Sequence, residues 1–423
     1  MNLDQATREE LQQWEQSLSA EYNEAKGRKL NLDLTRGKPS AEQLSLANEL
    51  DGILAGDYNA GGVDTRNYGG LDGTPEIRAL GATLLNIPQS NVVAAGNSSL
   101  TLMHQCALIG AYFGLNGEES AWHNDGPMKF ICPVPGYDRH FSVCEHLGIE
   151  MITVPMTATG PDMDAVEKLV KEDKAIKGMW CVPKYSNPTG VVYNEETVNR
   201  IAALGRIAHA NFRVFWDNAY TVHDLSQNPP KLANIFEACE QAGTQDSVLQ
   251  FASTSKITFA GAGVAFLGAS ELNVSAFKTF LSFMSIGPDK INHLRHVKFF
   301  EKTTLASHMQ KHAEIIRPRF SCVLEHLEKS FSDNDLGKWE SPEGGYFISF
   351  DTRVGLAKTV VGLAGDAGVK LTPAGATFPY GNDPSDSNIR IAPTVPTVEE
   401  VNAAMEVFVL CVNLASVRQA LEK

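Results

Sequence analysis

Covalent chemistry in this chain can begin at Lys256, which stands between a hydroxyl cluster (Ser253-Thr254-Ser255) and a glycine-rich run (Gly261-Ala262-Gly263). It follows an apolar segment, Val248-Leu249-Gln250-Phe251-Ala252, that reads as a buried strand. The carboxyl ends of strands in open α/β sheets are where ligands bind. A lysine partly shielded from water there loses its proton more easily and can attack a carbonyl to form a Schiff base. Taken alone, Lys256 also reads as a surface lysine opening a loop, so its companions elsewhere in the chain have to decide.

Four stretches could serve that chemistry. Ser186-Asn187-Pro188-Thr189-Gly190 follows the apolar Met179-Trp180-Cys181-Val182, so a strand end carries an amide that can aim at a ring oxygen. It is equally a plain strand-to-helix turn. In Val214-Phe215-Trp216-Asp217-Asn218-Ala219-Tyr220 a carboxylate follows three large apolar residues. Burying that charge is costly unless it is paired. A protonated pyridine nitrogen would pair with Asp217, and Tyr220 could reach the same ring; the plainer reading is an aspartate capping a helix. Ala95-Gly96-Asn97-Ser98-Ser99-Leu100-Thr101 lies between a strand and a helix, where free amides and hydroxyls suit a phosphate. It matches neither the G-x-x-x-x-G-K-[ST] nor the G-x-G-x-x-G pattern. In Asn388-Ile389-Arg390-Ile391-Ala392 an arginine within an apolar strand offers a rigid fork to a carboxylate, or one half of an internal ion pair.

Asn187, Asp217, Lys256 and Arg390 stand in that order, 30, 39 and 134 residues apart. In this order and spacing the features resemble the pyridoxal-phosphate aminotransferases of fold type I, the aspartate aminotransferase superfamily, over nearly the whole chain. The stretches Leu-Thr-Arg-Gly-Lys-Pro-Ser, Arg-Asn-Tyr-Gly-Gly-Leu-Asp-Gly and Thr-Ser-Lys-Ile-Thr-Phe-Ala-Gly-Ala-Gly are similar to the bacterial branch of class Ic aspartate aminotransferases, loosely grouped as MocR-like. The resemblance implies pyridoxal 5′-phosphate as cofactor, carried by Lys256, which once freed moves the proton between Cα and C4′. It implies that Asp217 keeps the pyridine nitrogen protonated and that Asn187 and Tyr220 hydrogen-bond the ring oxygen. Tyr137, in Pro135-Gly136-Tyr137, resembles the aromatic that stacks on the ring. Ser98, Ser99, Ser253 and Ser255 would hold the phosphate, with Tyr68 reaching it from a second subunit of a homodimer. Arg390 would bind the substrate α-carboxylate, with the Gly37 backbone beside it. One departure stands out. The family carries an arginine eight residues after the lysine to neutralise the phosphate, and here that position is Val264. Lys290 or Arg295 is the expected substitute.

The elements that must position these residues can be read from periodicity. Apolar runs at Asn91–Ala95, Lys129–Val134, Glu150–Val154, Gly178–Val182, Arg213–Trp216 and Ser247–Ala252 alternate with helical stretches at Leu100–Tyr112, Asp138–Leu147, Asp162–Val170 and Glu195–Ala210. Such alternation predicts a largely parallel sheet covered on both faces. Residues 4–26 predict an amino-terminal helix, with Leu11, Trp14, Leu18 and Tyr22 on one face. Leu30–Leu34 predicts a short strand ending at Arg36-Gly37-Lys38-Pro39, and the Gly- and Asn-rich residues 57–75 a long loop. Beyond residue 290 come a long helical stretch at Lys290–Lys329, strands near 344–350, 369–373 and 388–392, and a closing helix over 399–421. The expected architecture is α/β: the type I fold, with a large cofactor-binding domain (51–300) around a mostly parallel seven-stranded sheet, and a smaller α+β domain from 1–50 and 301–423.

The bulk numbers set the outer limits. The chain has 423 residues and a formal net charge of −14, from 36 basic and 50 acidic side chains, which argues against nucleic acid or an anionic membrane as partner. The seven cysteines include no C-x-x-C pair, as expected of reduced thiols in the cytoplasm. The amino terminus shows no secretory signal, and no run of about 18 apolar residues occurs. The leading expectation is a homodimeric aminotransferase passing the amino group of an L-amino acid, aspartate above all, to 2-oxoglutarate. A side-chain carboxylate would need a second cation, for which Arg36, Lys38 and Arg139 are candidates. Other donors (alanine, 2-aminoadipate, kynurenine, an aromatic amino acid), a lyase on the same scaffold, and a regulator that only senses the cofactor are the alternatives. The regulators place a helix-turn-helix region ahead of this fold, whereas about 30 residues precede the first strand here.

Overall fold

Two-residue alternation along each central strand divides its apolar side chains between two faces. A computed structural model describes Leu3 and residues 5–422, and the start of the expected helix at Asp4 lies outside the described residues. Phe130, Cys132, Trp180, Phe215, Leu249 and Phe251 join one cluster, under the helices Ser99–Tyr112, Asp138–Leu147 and Glu271–Met284. Ile131, Met179, Cys181, Val214, Trp216 and Val248 join another, under Met163–Glu172, Glu195–Ala203 and Ile235–Ala242. A sheet sandwiched in this way has no solvated face, so its strands are apolar throughout rather than alternating.

The sheet runs in the order Val92–Ala94, Ala265–Ala269, Val248–Ser253, Arg213–Asp217, Ile176–Cys181, Lys129–Val134, Glu150–Thr157 and Gly160–Pro161. The pairings from Val248–Ser253 to Glu150–Thr157 are parallel. Ala265–Ala269 is antiparallel to both its neighbours, so Val92–Ala94 again points the same way as the parallel strands. The sheet therefore has seven main strands and a two-residue antiparallel extension, Gly160–Pro161. Ala265–Ala269 is not among the six runs marked in the sequence, because it follows directly on the glycine-rich stretch after Lys256 and has only two bulky side chains, Phe266 and Leu267. The carboxyl ends of Val92–Ala94, Lys129–Val134, Ile176–Cys181, Arg213–Asp217 and Val248–Ser253 all open onto one edge of the sheet.

A separate core gathers the two ends of the chain. It joins Leu11, Leu18 and Tyr22 of the helix Arg8–Gly27 to Ile316, Phe320 and Val323 of Leu305–Phe331 and to Val401, Phe408 and Val412 of Val398–Glu422. The first helix is fixed at its start by a reciprocal Thr7–Glu10 capping box. The strand Leu32–Leu34 pairs in parallel with Val369–Leu371, and Gly337–Trp339, Ile348–Thr352 and Asn388–Ile391 form an antiparallel sheet. The helical stretch expected over 290–329 is two helices, Lys290–Lys302 and Leu305–Phe331, because Thr304 caps the second by accepting from Ser307 N–H at 3.1 Å. The stretch expected over 195–210 leaves the α-helix at Ala203 and closes in a tight turn, Leu204–Arg206. By length and composition Val398–Glu422 could cross a membrane, but 61 % of its most apolar window is buried, which makes it a core helix.

Candidate active site

Lys256 stands three residues past the strand Val248–Ser253, in a turn pinned from several sides. Ser253 caps the turn by accepting from Ser255 N–H at 3.0 Å. Thr254 N–H donates to the Val264 carbonyl at 2.9 Å, and Val264 N–H donates back to Thr254 Oγ1 at 2.8 Å. The lysine side chain is half-buried, with Nζ 4.9 Å from the centre of the Tyr220 ring. Burial lowers its pKa, and the Asp217 carboxylate opposes that shift. A lysine eased toward its neutral form is a nucleophile and a base.

Asp217 ends the neighbouring strand and is 2 % exposed. Its Oδ2 accepts from His140 Nε2 at 3.1 Å, while Oδ1 is buried without a partner. An ionised carboxylate in such a place carries a desolvation cost of several kcal/mol that one histidine offsets only in part. His140 lies flat on Trp180, with ring centroids 4.3 Å apart and planes 11° apart, and its other neighbour is Tyr137 at 4.9 Å, edge-on. His140 is not among the residues marked in the sequence. Its signal was its place three residues after Tyr137, on the first turn of the helix Asp138–Leu147, where both face one way.

Asn187 and Arg390 meet above these groups. Arg390, 6 % exposed, donates from Nη1 to Asn187 Oδ1 at 3.2 Å and to Asp138 Oδ1 at 2.9 Å. Its guanidinium also lies 4.8 Å from the centre of the Phe347 ring. Gly37 is needed beside that ring, because a Cβ there would fall 2.4 Å from Phe347 Cζ. Asp138 is the second residue the sequence reading missed: it holds the arginine expected to take the substrate carboxylate. Lys256, Tyr220, Tyr137, Asn187, Arg390, Asp138 and Gly37 line one cavity of about 750 Å³. Arg36, Lys38 and Arg139 line it as well, and all three are exposed.

The hydroxyl cluster forms a cradle at one end. Ser98 caps the helix Ser99–Tyr112, accepting from Thr101 N–H at 3.4 Å, with Ser99 at the first helical position. The Ser253 and Ser255 hydroxyls lie 3.2 and 2.6 Å from the Asn97 carbonyl and 2.9 Å from each other. A cavity of about 170 Å³ beside them is lined by Gly96, Asn97, Ser98 and Thr101. Tyr68 is not brought in: it is 81 % exposed in the segment 57–75 and lines neither cavity. Val264 is wholly buried among apolar side chains. Of its expected substitutes, Lys290 donates from Nζ to the Gly69 carbonyl at 2.7 Å and Arg295 is exposed.

Comparison with known proteins agrees with this geometry. Residues 6–423 match the aspartate amino-transferase family. The chain belongs to that family. This aminotransferase is 45 % identical over 404 residues to an aspartate aminotransferase of Corynebacterium glutamicum, covering 95 % of this chain and 93 % of the relative. It superposes on the crystal structure of an aspartate transaminase from the same species with a TM-score of 0.95 at 43 % identity, covering 99 % of each chain. The fold also matches that of LysN, an α-aminoadipate aminotransferase of Thermus thermophilus solved with N-(5′-phosphopyridoxyl)-L-leucine, with a TM-score of 0.75 at 20 % identity and 93 % and 95 % of the two chains covered.

Family membership implies a pyridoxal phosphate cofactor, and the aminotransferase's own residues fit one. The unpartnered Oδ1 of Asp217 is a buried acceptor waiting for an N–H, which buried polar groups rarely lack. The phenol and lysine face each other beside it, and the helix amino terminus with its serines suits an anion.

Proposed function

We propose that this aminotransferase transfers the amino group of L-aspartate to 2-oxoglutarate, alternating between the two substrates at one site, with pyridoxal 5′-phosphate bound to Lys256. When bound, that cofactor supplies an electron sink for the pair left behind as the substrate Cα–H bond breaks. Asp217 would hold a positive charge at the cofactor's ring nitrogen through Oδ1, while His140 keeps Oδ2 occupied. The lysine amine, its pKa lowered by burial, would, once free of the cofactor, be the base that takes the proton from the substrate Cα. Asn187 and Tyr220 would serve the cofactor's ring oxygen and Tyr137 its ring, while Ser98, Ser99, Ser253 and Ser255 would hold its phosphate.

Arg390 binds the substrate α-carboxylate through its planar fork, with Gly37 allowing the loop to approach. The observation that carries the dicarboxylate reading is the placing of Arg36, Lys38 and Arg139 around the mouth of the same cavity. Three cations beyond Arg390 favour a substrate with a second negative charge, as in aspartate, glutamate and their oxo acids. The test is a panel of amino donors with 2-oxoglutarate, including alanine, 2-aminoadipate, kynurenine and phenylalanine. Aspartate should give the highest kcat/KM, and a higher value for a neutral donor would discard the dicarboxylate assignment.

The same reading makes the enzyme a homodimer with shared sites. Tyr68 is joined at the surface by Phe283, Met284 and Ile286, which are 85 %, 53 % and 63 % exposed. Gly287 packs against the Gly69 backbone, so the two apolar segments are neighbours. Such a patch fits a second copy of the chain, which would bring Tyr68 to the partner's phosphate. Sedimentation as a single chain at micromolar concentration would count against it. The seven cysteines are all free and six are buried, which supports a reducing compartment such as the cytoplasm.

A further inference from the structure

The peptide that carries Lys256 is held by side chains that the reaction itself does not use. Gln43 is wholly buried on the short helix Ala41–Ser45. Its Oε1 accepts from Ser40 N–H at 3.0 Å, so its NH₂ group faces His312 Nδ1 at 3.0 Å and Tyr346 Oη at 2.9 Å. An amide NH₂ only donates. His312 must therefore present a lone pair at Nδ1. Burial and the neighbouring His308 push its pKa down to about 4, so it is neutral and carries its one hydrogen on Nε2. His312 Nε2 stands 3.1 Å from His308 Nε2, which in turn lies 2.7 Å from the Ile257 carbonyl.

Tyr346 is oriented by the same amide. With its oxygen accepting from Gln43, it donates to the Lys256 carbonyl at 3.3 Å, which also accepts from His223 Nε2 at 3.3 Å. The Lys256 carbonyl thus meets two side chains and the Ile257 carbonyl a third, His308, with His312 behind it. Gln43 sets the direction of the Tyr346 hydroxyl and which ring nitrogen of His312 carries the hydrogen. It lies just beyond the loop Thr35–Lys38 that lines the substrate cavity. That loop is tied down in turn: Thr372 Oγ1 donates to the Thr35 carbonyl and Thr394 Oγ1 to the Lys38 carbonyl, both at 2.8 Å.

We propose that Gln43, His312 and Tyr346 are positioning residues of the transamination reaction, fixing the Lys256 peptide from the side of the substrate loop so that the amine is aimed into the cavity. This rests on Lys256 being the catalytic amine. Replacing Gln43 by the isosteric glutamate reverses the network, because a carboxylate cannot donate. His312 must then turn a hydrogen to Nδ1 and Tyr346 must turn its hydroxyl to Glu, so the Lys256 carbonyl loses a donor and the hydrogen between His312 and His308 is displaced. Tyr346→Phe removes only the hydroxyl and keeps the ring packing.

The test compares Gln43→Glu, Tyr346→Phe and the double variant with wild type by two readouts. One is steady-state kinetics of the cofactor-loaded enzyme. The other is the rate at which a small amine-reactive reagent modifies Lys256 in the cofactor-free protein, followed by peptide mass mapping. Loss of a hydrogen bond of ordinary strength should lower kcat and change the modification rate by about tenfold in each single variant, with KM for both substrates unchanged. The double variant should fall no further than Gln43→Glu alone, since both act through one network. Folded variants with wild-type kcat and wild-type Lys256 modification would overturn the proposal, as would losses that multiply in the double variant. If Gln43→Glu fails to fold, Tyr346→Phe decides by the same readouts. Transamination by the wild-type protein keeps the two readings apart: without it the assignment of Lys256 falls, whereas an active wild type with indifferent variants removes only the network.

Discussion

Asp138 should compete with substrate for Arg390, and Asp138→Asn should relieve that competition. In the ligand-free chain Arg390 Nη1 donates to Asp138 Oδ1 at 2.9 Å, so an incoming carboxylate must displace a carboxylate already there. Two unit charges at such a distance attract by roughly 6 kcal/mol in a medium of effective dielectric about 20. The Asp138 side chain is 36 % exposed, however, and water screening with side-chain entropy reduces the net worth of such pairs to about 1 kcal/mol. Removing the charge should therefore lower KM by about fivefold. The effect should appear for both the amino acid and the oxo acid, because both present an α-carboxylate to the same arginine. The rate kcat should hold, since Asp138 touches neither Lys256 nor Asp217. Thermal stability should drop slightly, by about 0.3–1 kcal/mol, because Asp138 is an acid in the first turn of its helix. The assay is initial-rate kinetics varying each substrate in turn. An unchanged or higher KM for both would refute the reasoning and make Asp138 a support that holds Arg390 in its binding pose.

Further consequences follow from the same contacts. His140→Phe keeps a ring on Trp180 but strips Asp217 of its remaining side-chain partner, so kcat should fall roughly 10- to 100-fold, the worth of a hydrogen bond to a charged group; an unaltered kcat would mean that Asp217 needs no support. Lys256→Met should abolish transamination and yet stabilise the cofactor-free protein at neutral pH, because the wild type must bury an amine whose folded pKa is lowered. That margin should narrow as pH rises toward the ordinary lysine value, where the unfolded chain no longer holds the extra proton. Denaturant titrations that find the variant less stable at neutral pH would contradict this. Burial also pushes His223 down to about 3 and His296 and His312 to about 4, so each gains a proton on unfolding below about pH 6.5. Stability should therefore be flat near neutrality and fall on acidification toward pH 4, each group contributing about 1.4 kcal/mol per pH unit. Equal denaturation midpoints at pH 7 and pH 5 would rule that out.

That Lys256, Asp217, Tyr220 and Asn187 gather was legible in the sequence because parallel strands bring their carboxyl ends to one edge, and each of these residues closes or follows an apolar run; Arg390, inside the antiparallel strand Asn388–Ile391, was marked instead by its charge among apolar neighbours. The sandwiched sheet was legible for the same reason: buried parallel strands are apolar along their whole length. Ala265–Ala269 was not, because its two bulky residues, Phe266 and Leu267, are adjacent and carry no alternation, and only the antiparallel return from Lys256 makes the segment a strand. His140 and Asp138 were hidden inside a helix start whose pattern reads as capping and solvation. Their roles arise from contacts with Asp217 and Arg390, 77 and 252 residues away in the chain, which no local pattern reports. The same holds for Gln43, whose polarity matters only because Ser40 fixes one end of its amide and His312 and Tyr346 receive the other. Tyr68 illustrates the opposite limit: its segment was marked by composition, yet within one chain it stays at the surface.

The measurement that bears most directly on the central claim is a single half-reaction. The cofactor-loaded protein is mixed with L-aspartate in the absence of any oxo acid, and the visible absorption of the cofactor is followed together with the oxaloacetate released. The account predicts loss of that absorption with one oxaloacetate formed per Lys256, restored by 2-oxoglutarate with formation of glutamate, and no such change in Lys256→Met. Absorption that ignores aspartate, or that changes without stoichiometric oxaloacetate, would contradict the assignment of this site as an aspartate aminotransferase.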